Sequence, residues 1–599
     1  MYPTEPTRLL GATDDPVAAP PPRRRSNALK VVLVVLATVL LVGVPSAVAL
    51  VVSLNKPAGD RLASMVPASI DVYATAMLNP SLSQKRDLQA LLGHFPELRN
   101  GTKLQKDIDS ALHDALSPVG LDYQKDVKPW MGSQIAALAS FGSNGVAAAL
   151  VRTNDQKAAL TALGRLRQSD QGRDLTWRTA THGGVSISVG SSRGDGVSTK
   201  GLDYAVFDGV AMVASDETLI DQVIDTDQGR RANLASLLQY QQTLEQLPAD
   251  FVGVAYVNAA SLVRNVKANL PQDLSKLPKQ LRDGVDALDA YQSFGAAVSL
   301  QKDGVAFDTV TTTDPAKLPA AMRGALGRPA HRTAMLDWTP QDSWAVFTSG
   351  DASDRERSAV GSDLFAFAAM SLSQSTPSGP DLTAPPGLSD TATAPTLDQQ
   401  LQDLGLTGPD GLLDHLTGTS AFFVGPGTGS LPFSAVFVAG TDDPARTAAV
   451  LQKLGDLATG GSTVRWRQWP YDGAPIHYLD LGPDAGGIMP AYTVVDGYAV
   501  IGTDPLAVQH AVDTHRGTQP SITSTRDFRA SPAVKATGGV VFVDIPLIVD
   551  AIEGSIEGSS MQDFQKNVKP NLQPLRTLTS TSSSDARHQT THTVLQIGS

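Results

Sequence analysis

The sequence repeats itself at a spacing of about 288 residues, and this repeat constrains the possible fold more than any other feature. The clearest match pairs Tyr-Ala-Val-Phe-Asp-Gly at 204–209 with Tyr-Thr-Val-Val-Asp-Gly at 492–497. An Asp-Gly step between apolar runs is typical of a tight hairpin turn. In each copy an aspartate, Asp216 or Asp504, then precedes an apolar helical pattern, as a helix N-cap does. The sequence therefore predicts a hairpin followed by a helix, present twice.

Further matches follow in the same order along both copies, with offsets that drift as small loop changes would produce. They pair Trp177-Arg178 with Trp466-Arg467, residues 150–155 with 438–443, and residues 251–257 with 537–543. Upstream, Met65-Val66-Pro67 matches residues 337–340 at a shorter offset, which an insertion in the second copy explains. Residues 372–395, rich in Ser, Thr, Pro and Gly, are predicted to form a disordered loop at that place.

These matches divide the chain into a first copy (60–314), a connector (315–332) and a second copy (333–599) that contains the insertion. Within each copy, strand patterns alternate with amphipathic helical patterns such as Lys103 to Leu116. Hairpins interspersed with helices favour an α+β fold. The predicted fold class is α+β, with a single N-terminal transmembrane helix followed by two tandem, diverged copies of a mixed antiparallel-sheet-plus-helix module.

The transmembrane helix is predicted from Val31 to Leu54, a run of uncharged and mainly apolar residues. As a helix of about 1.5 Å per residue it would reach roughly 36 Å, enough for a bilayer core of about 30 Å. Basic residues are concentrated before the run, so the positive-inside rule places a disordered tail (1–30) in the cytoplasm. The remaining chain is then extracytoplasmic, on a single-pass protein of the plasma membrane.

A cleaved signal peptide is the alternative, because Ala47-Val48-Ala49 has the small-x-small form of a cleavage site. The apolar run continues to Leu54 and the leader before it is long, which favours an uncleaved anchor. Either arrangement leaves residues 60–599 outside the membrane.

Charge and cysteine content exclude several classes of function. The chain has a net charge of −12 and no cysteine. An acidic protein is a poor partner for nucleic acid, whose binding depends on neutralising phosphates. The absence of cysteine excludes disulfides, thiol nucleophiles and cysteine-ligated metals. The expected partners are the lipid bilayer, through 31–54, and an unknown envelope protein or amphiphile.

Two stretches of the sequence resemble a known family. One is Val66-Pro67-Ala68 with Tyr73 after it. The other, more specific, is Leu121-Asp122-Tyr123-x-x-Asp126-Val127-Lys128-Pro129-Trp130-Met131-Gly132. With the basic flank and apolar run before them, they are similar to uncharacterised actinobacterial membrane-anchored envelope proteins that share a domain of unknown function. The resemblance implies an envelope location and no particular activity.

The second stretch also contains the densest group of functional residue types. Its members are Asp122, Tyr123, Asp126, Lys128 and Trp130. Two interpretations stay open. Trp130 anchors a core while the charges solvate a turn, or the five form an exposed recognition surface. They are the candidate site residues.

Other motifs are incomplete. Residues 190–194 fit G-x-S-x-G, but turn residues follow where a nucleophile elbow needs a helix. His588 and His592 share one side of a predicted strand without an acidic residue nearby to complete a metal site. The sequence Asp225-x-Asp227-x-Gly229 lacks the closing acid of a calcium loop. No catalytic residue, cofactor or metal ligand is predicted.

The leading hypothesis is a non-enzymatic, membrane-anchored cell-envelope protein that binds or scaffolds a partner through a duplicated extracytoplasmic domain. The first alternative is an extracytoplasmic carrier or sensor of lipid or another amphiphile, with an apolar cavity between sheet and helices. The second is an uncharacterised envelope hydrolase that uses carboxylates.

Overall fold

A computed structural model describes residues 60–96, 106, 109–110, 112–114, 116, 121–141, 145–192, 201–268, 287–318, 334–349, 412–428, 431–458, 466–481, 488–556 and 558–598. The predicted tail (1–30), the apolar run (31–54) and the insertion (372–395) lie outside these residues, as does most of the connector (315–332).

Within these described ranges, twenty strands form one antiparallel sheet. They are β1 Val72–Met77, β2 Met131–Ser140, β3 Val146–Thr153, β4 Leu175–His182, β5 Val185–Ser192, β6 Leu202–Phe207, β7 Val210–Ala214, β8 Gly253–Val257, β9 Tyr291–Gln301, β10 Gly304–Thr313, β11 Ala345–Thr348, β12 Leu416–Pro426, β13 Phe433–Thr441, β14 Trp466–Trp469, β15 Ile476–Leu479, β16 Ala491–Val495, β17 Tyr498–Gly502, β18 Val540–Asp544, β19 Leu575–Ser584 and β20 His588–Ile597.

Helices connect and cover these strands. They are α1 Leu82–Leu92, α2 Gln156–Gly164, α3 Asp170–Arg173, α4 Glu217–Asp227, α5 Leu238–Glu245, α6 Ala259–Ala268, α7 Leu412–His415, α8 Pro444–Ala458, α9 Pro505–His515, α10 Arg526–Ala530, α11 Ile545–Ser555, α12 Ser559–Asp563 and α13 Lys569–Leu572. None of the helices in the described ranges has both the length and the apolar character needed to cross a bilayer.

The repeated motif folds as its residues predict. Asp208 and Gly209 have positive φ angles of 39° and 70° and join β6 to β7, as a tight hairpin turn requires. Asp496 and Gly497 do the same between β16 and β17. The Asp216 carboxylate accepts a hydrogen bond from the backbone N–H of Thr218 in the first turn of α4 at 2.8 Å. Asp504 caps α9 in the same way, through the backbone N–H of Ala507. Both the hairpin turns and the caps are confirmed.

The strand order occurs twice. In the first half (described residues 60–318) neighbouring strands run β4-β5-β6-β7-β3-β2-β1-β8-β9-β10. In the second half (described residues 334–598) neighbouring strands run β14-β15-β16-β17-β13-β12-β11-β18-β19-β20. This is the same order, with β11 in the place of β1. Residues at the same register position of the two strand sets are called equivalent below.

The two halves meet where β10 pairs with β20, from Gly304 opposite Gln596 to Thr312 opposite His588. We call this pairing the central seam. Since β10 and β20 are equivalent strands and run antiparallel, a local twofold axis passes between them, at the pair Asp308–His592. The seam makes one sheet of the two halves.

The predicted fold class, a single N-terminal transmembrane helix followed by two tandem copies of a module, is therefore corrected. The described residues contain no helix able to span a membrane, and their strands form one large antiparallel sheet with helices. The physical reason for one sheet is that β10 and β20 would each leave a row of unpaired backbone groups at an edge, and pairing them removes both edges. The boundaries 60–314 and 333–599 stay predictions.

Each half has its own main core on one face of the sheet. The first is centred on Tyr73, Leu150 and Ile224, and the second on Trp338 and Phe542, all of them fully buried. In the first half α4 packs on β5, β6 and β7, and in the second α9 packs on β13, β15, β16 and β17. The helix that follows each repeated hairpin therefore closes the core of its own half.

We expect Gly304→Ala to destabilise the seam. A methyl group at Gly304 would lie 2.5 Å from the backbone oxygen of Leu595 on β20, and backbone cannot move aside as a side chain can. The free energy of unfolding, measured in urea, should fall by about 1–3 kcal/mol. The matched control is Gly164→Ala at the end of α2, where nothing lies within 4 Å. It should be neutral or stabilising by about 0.5–1 kcal/mol. Equal effects of both variants would contradict the seam.

Candidate functional site

The candidate residues lie at the start of β2, around one turn of π-helix from Tyr123 to Val127. Asp122 caps this turn, because its carboxylate accepts the backbone N–H of Lys125 at 3.0 Å. That hydrogen bond lowers the pKa of Asp122 below its usual value. The wide turn allows the indole N–H of Trp130 to donate to the backbone oxygen of Asp126.

Three of the five candidates are buried: Tyr123 is 0%, Trp130 4% and Asp126 7% exposed. The Asp126 carboxylate forms an ion pair with Arg165 and accepts the backbone N–H of Asp122 at 2.9 Å. Tyr123 and Trp130 pack in a cluster with α2 and β6. Burial raises the pKa of the Tyr123 hydroxyl, so it stays protonated.

Lys128 completes the group at its rim. Its ammonium lies 3.0 Å from the carboxylate of Asp109 and 5.9 Å from the centre of the Tyr123 ring. Of the five candidates, only Asp122 and Lys128 are accessible to a partner. The structure therefore places the group in and around a core, and it does not form one continuous recognition surface. The density of functional residue types was a poor guide to exposure.

A second polar cluster, around Asp60, was not predicted. The Asp60 carboxylate accepts hydrogen bonds from the Tyr73 hydroxyl (2.7 Å), the Tyr240 hydroxyl (3.0 Å) and the side-chain amide of Gln134 (2.6 Å). The backbone N–H of Ala63 adds a fourth at 3.2 Å. Burial, followed by the charge of Asp60, raises the pKa of both tyrosines. Asp60 thus ties the first described residues of the chain to β1, β2 and α5.

The described residues of the second half hold no counterpart of the Asp60 cluster. Tyr73 is equivalent to Val346, and Tyr256, which pairs with Tyr73, is equivalent to Phe542. Tyr240 packs on Tyr256 with ring centres 5.1 Å apart, and Phe528 packs on Phe542 at the same distance. The replacement of tyrosine by phenylalanine or valine between the copies was the one available signal, since Asp60 itself lies in no motif.

Asp203 is a buried carboxylate on β6, 2% exposed, and its side chain accepts the backbone N–H of Gly190 at 3.1 Å. Burial, partly offset by this hydrogen bond, raises its pKa to about 7. Gly190, Ser191 and Ser192 lie on β5, so these members of the G-x-S-x-G match belong to a strand. Ser192 is thus a strand residue, whereas a nucleophile elbow places its serine on a strand-to-helix turn.

Several of the described histidines lie beside carboxylates, and His182 lies beside two, Asp221 at 3.6 Å and Asp225. His588 lies 3.0 Å from Asp585, and His592 lies 2.6 Å from Asp308. His182 lies 2.6 Å from Asp225, the residue that begins the calcium-loop fragment. Within the described ranges, no group of three or more His, Asp or Glu side chains is placed to hold a metal ion.

The fold and these clusters define a large antiparallel-sheet protein with helices, built from two equivalent strand sets. A family model described as protein of unknown function (DUF3352) matches residues 32–597, and the chain belongs to that family. No curated protein matches the chain.

Solved structures of one protein, TP0453, are distantly similar. Crystal form I has 10% sequence identity and a TM-score of 0.22, covering 46% of this chain and 85% of that one. Crystal form IV has 9% identity and a TM-score of 0.21, covering 42% and 79%. Likeness at this level supports no statement about function.

We expect Asp60→Ala to destabilise the first half. The variant would leave three buried donors, on Tyr73, Tyr240 and Gln134, without their acceptor. The free energy of unfolding in urea should fall by about 2–4 kcal/mol. Asp174→Ala is the control, because Asp174 is exposed, and should change it by no more than about 0.5 kcal/mol. An Asp60→Ala protein as stable as this control would show that the cluster contributes nothing.

Asp203 should make stability depend on pH. Its folded pKa is about 7, above the unfolded value of about 3.9, so the folded state holds the proton more tightly. Stability is therefore fully present near pH 4 and is lost as the pH rises through about 7. Asp203→Asn keeps the acceptor for Gly190, and it should match the wild type at pH 4 and exceed it by about 1–3 kcal/mol at pH 8. Chemical unfolding at both pH values measures this, and an identical difference at each would contradict it.

Proposed function

We propose that the chain is a non-enzymatic cell-envelope protein that binds or scaffolds a partner protein through two equivalent apolar surfaces on one sheet. The observation that carries this proposal is the pair Phe294 and Leu578. Both are large apolar side chains, both are 36% exposed, and they occupy equivalent positions on β9 and β19.

The surroundings of the two side chains also correspond. Phe294 pairs with Val257 on β8, and Leu578 pairs with Val543 on β18. Both valines are half-buried. The helices that follow β8 and β18 correspond as well, since α6 packs on β9 and α11 packs on β19. Each half therefore offers an apolar strand pair next to a helix.

Single exposed apolar residues are common on protein surfaces and need no function. Exposure of a large apolar side chain at the same place in both halves is less readily explained by chance. Burying each side chain against a partner would contribute about 1.5–3 kcal/mol. Two such contacts on one rigid sheet would bind a dimeric or repeated partner more tightly than either alone.

The envelope setting is part of the same proposal. It rests on the basic flank before the apolar run 31–54 and on the resemblance of the Leu121–Gly132 stretch to actinobacterial envelope proteins. An extracytoplasmic position also fits the acidic composition of the chain after residue 30, which does not favour binding to anionic lipid headgroups or nucleic acid.

The test is quantitative cross-linking and capture of the full chain from its native envelope. Wild type should retain two copies of a partner protein, Phe294→Ser or Leu578→Ser one copy, and the double variant none. Leu160→Ser on α2 is the matched control, because Leu160 is 50% exposed on a helix that packs on β6 and β7, and it should retain two. A double variant with undiminished partner would refute the two-surface proposal.

Two other outcomes identify the alternatives. If lipid co-purifies and is lost with the same substitutions, the surfaces serve an amphiphile carrier or sensor. If purified wild-type protein hydrolyses an ester, peptide or wall precursor, the protein is an enzyme.

A further inference from the structure

The centre of the seam holds a pair of oppositely ionisable side chains. Asp308 on β10 and His592 on β20 are directly opposite each other, and they are equivalent residues of the two halves. The Nδ1 atom of His592 lies 2.6 Å from Oδ1 of Asp308. This side-chain contact therefore joins the halves at their local twofold axis.

The pair is partly shielded from water. The Asp308 side chain is 15% exposed and the His592 side chain 38%, and Oδ2 of Asp308 is buried without a hydrogen-bond partner. The residues beside the pair in register, Ala297 on β9 and Thr581 on β19, carry no charge. The Asp308 carboxylate is therefore the strong hydrogen-bond acceptor next to a proton on the His592 ring.

The strands at and beside the seam, β9, β10, β19 and β20, carry few other ionisable groups. These groups are Tyr291 on β9, Arg576 on β19 and His588 on β20. Arg576 is paired with Asp527, and His588 with Asp585, which lies in the turn before β20. Asp308 is the ionisable neighbour that acts on the pKa of His592.

We propose that Asp308 and His592 form a pH-dependent clasp, which holds the two halves together more tightly in acid than in alkaline solution. In acid His592 is a cation and donates a charge-assisted hydrogen bond to the Asp308 carboxylate. In alkaline solution the ring is neutral, and the carboxylate, with its second oxygen already buried, loses its counter-charge.

The direction follows from the linkage of protonation to folding. The hydrogen bond that His592 donates to Asp308, opposed by burial and aided by the charge of Asp308, raises the pKa of His592 above the ordinary value of about 6.5. A group whose pKa is raised on folding contributes stability that is fully present below its unfolded pKa. That stability is lost as the pH rises through the folded pKa. The seam is thus strongest below about pH 6.5.

The test is amide hydrogen exchange of β10 and β20 in the full chain at pH 5.5 and pH 8.0, corrected for the intrinsic rate. Wild type should protect these two strands about two- to fivefold more at pH 5.5, the scale of a partly exposed ion pair. His592→Gln should lose this difference. His588→Gln is the matched control on the same strand and should keep it.

A second measurement needs no variant, so the test survives if His592→Gln fails to fold. NMR titration of wild type should give the His592 ring a pKa above the ordinary histidine value of about 6.5. A value at or below 6.5 overturns the clasp. A pH effect on the two strands that persists unchanged in folded His592→Gln overturns it as well.

Discussion

The pairing of β10 with β20 is the interaction on which the rest of the structure depends. Each half alone would end in a hairpin whose outer strand exposes a row of unpaired backbone groups. The seam pairs these groups across nine register positions, from Gly304 to Thr312, and so makes one sheet from two strand sets. Because the paired strands are equivalent and antiparallel, every described strand on one side has its counterpart on the other by a local twofold axis.

The two halves make contacts at equivalent positions, but the side chains that make these contacts differ. His182 binds Asp225 at the end of α4, while Tyr471, just past β14, donates to the equivalent Asp513 on α9. The buried tyrosines around Asp60 correspond to Val346, Phe528 and Phe542 in the second half. Backbone pairing thus preserves the geometry, while side chains have diverged between polar and apolar versions of one arrangement.

The sequence predicted the local elements well because they depend on local chemistry. The Asp-Gly turns at Asp208 and Asp496 and the caps at Asp216 and Asp504 need only a few neighbouring residues. The sequence analysis did not predict that the strands join in one sheet, because strand patterns do not show which strand edges pair. The sequence did not decide between the two interpretations of the candidate site for a related reason: Tyr123 and Trp130 suit recognition and cores equally, and only the tertiary structure determines their burial. Asp60 gave no signal, since its side-chain partners are 13 to 180 residues away.

The composition of the seam explains why a polar pair lies at its centre. Threonine is frequent on both strands, at Thr309 and Thr311 on β10 and at Thr590, Thr591 and Thr593 on β20. Such polar strands specify their register weakly, and a slip of one residue would move every side chain to the other face. Asp308 and His592 meet only in the observed register, and a slip would leave the buried oxygen of Asp308 opposite a threonine. A partly buried ionisable pair adds little net stability, yet it penalises every misaligned pairing. Its place on the twofold axis, where one pair fixes both halves at once, is where that penalty is most effective.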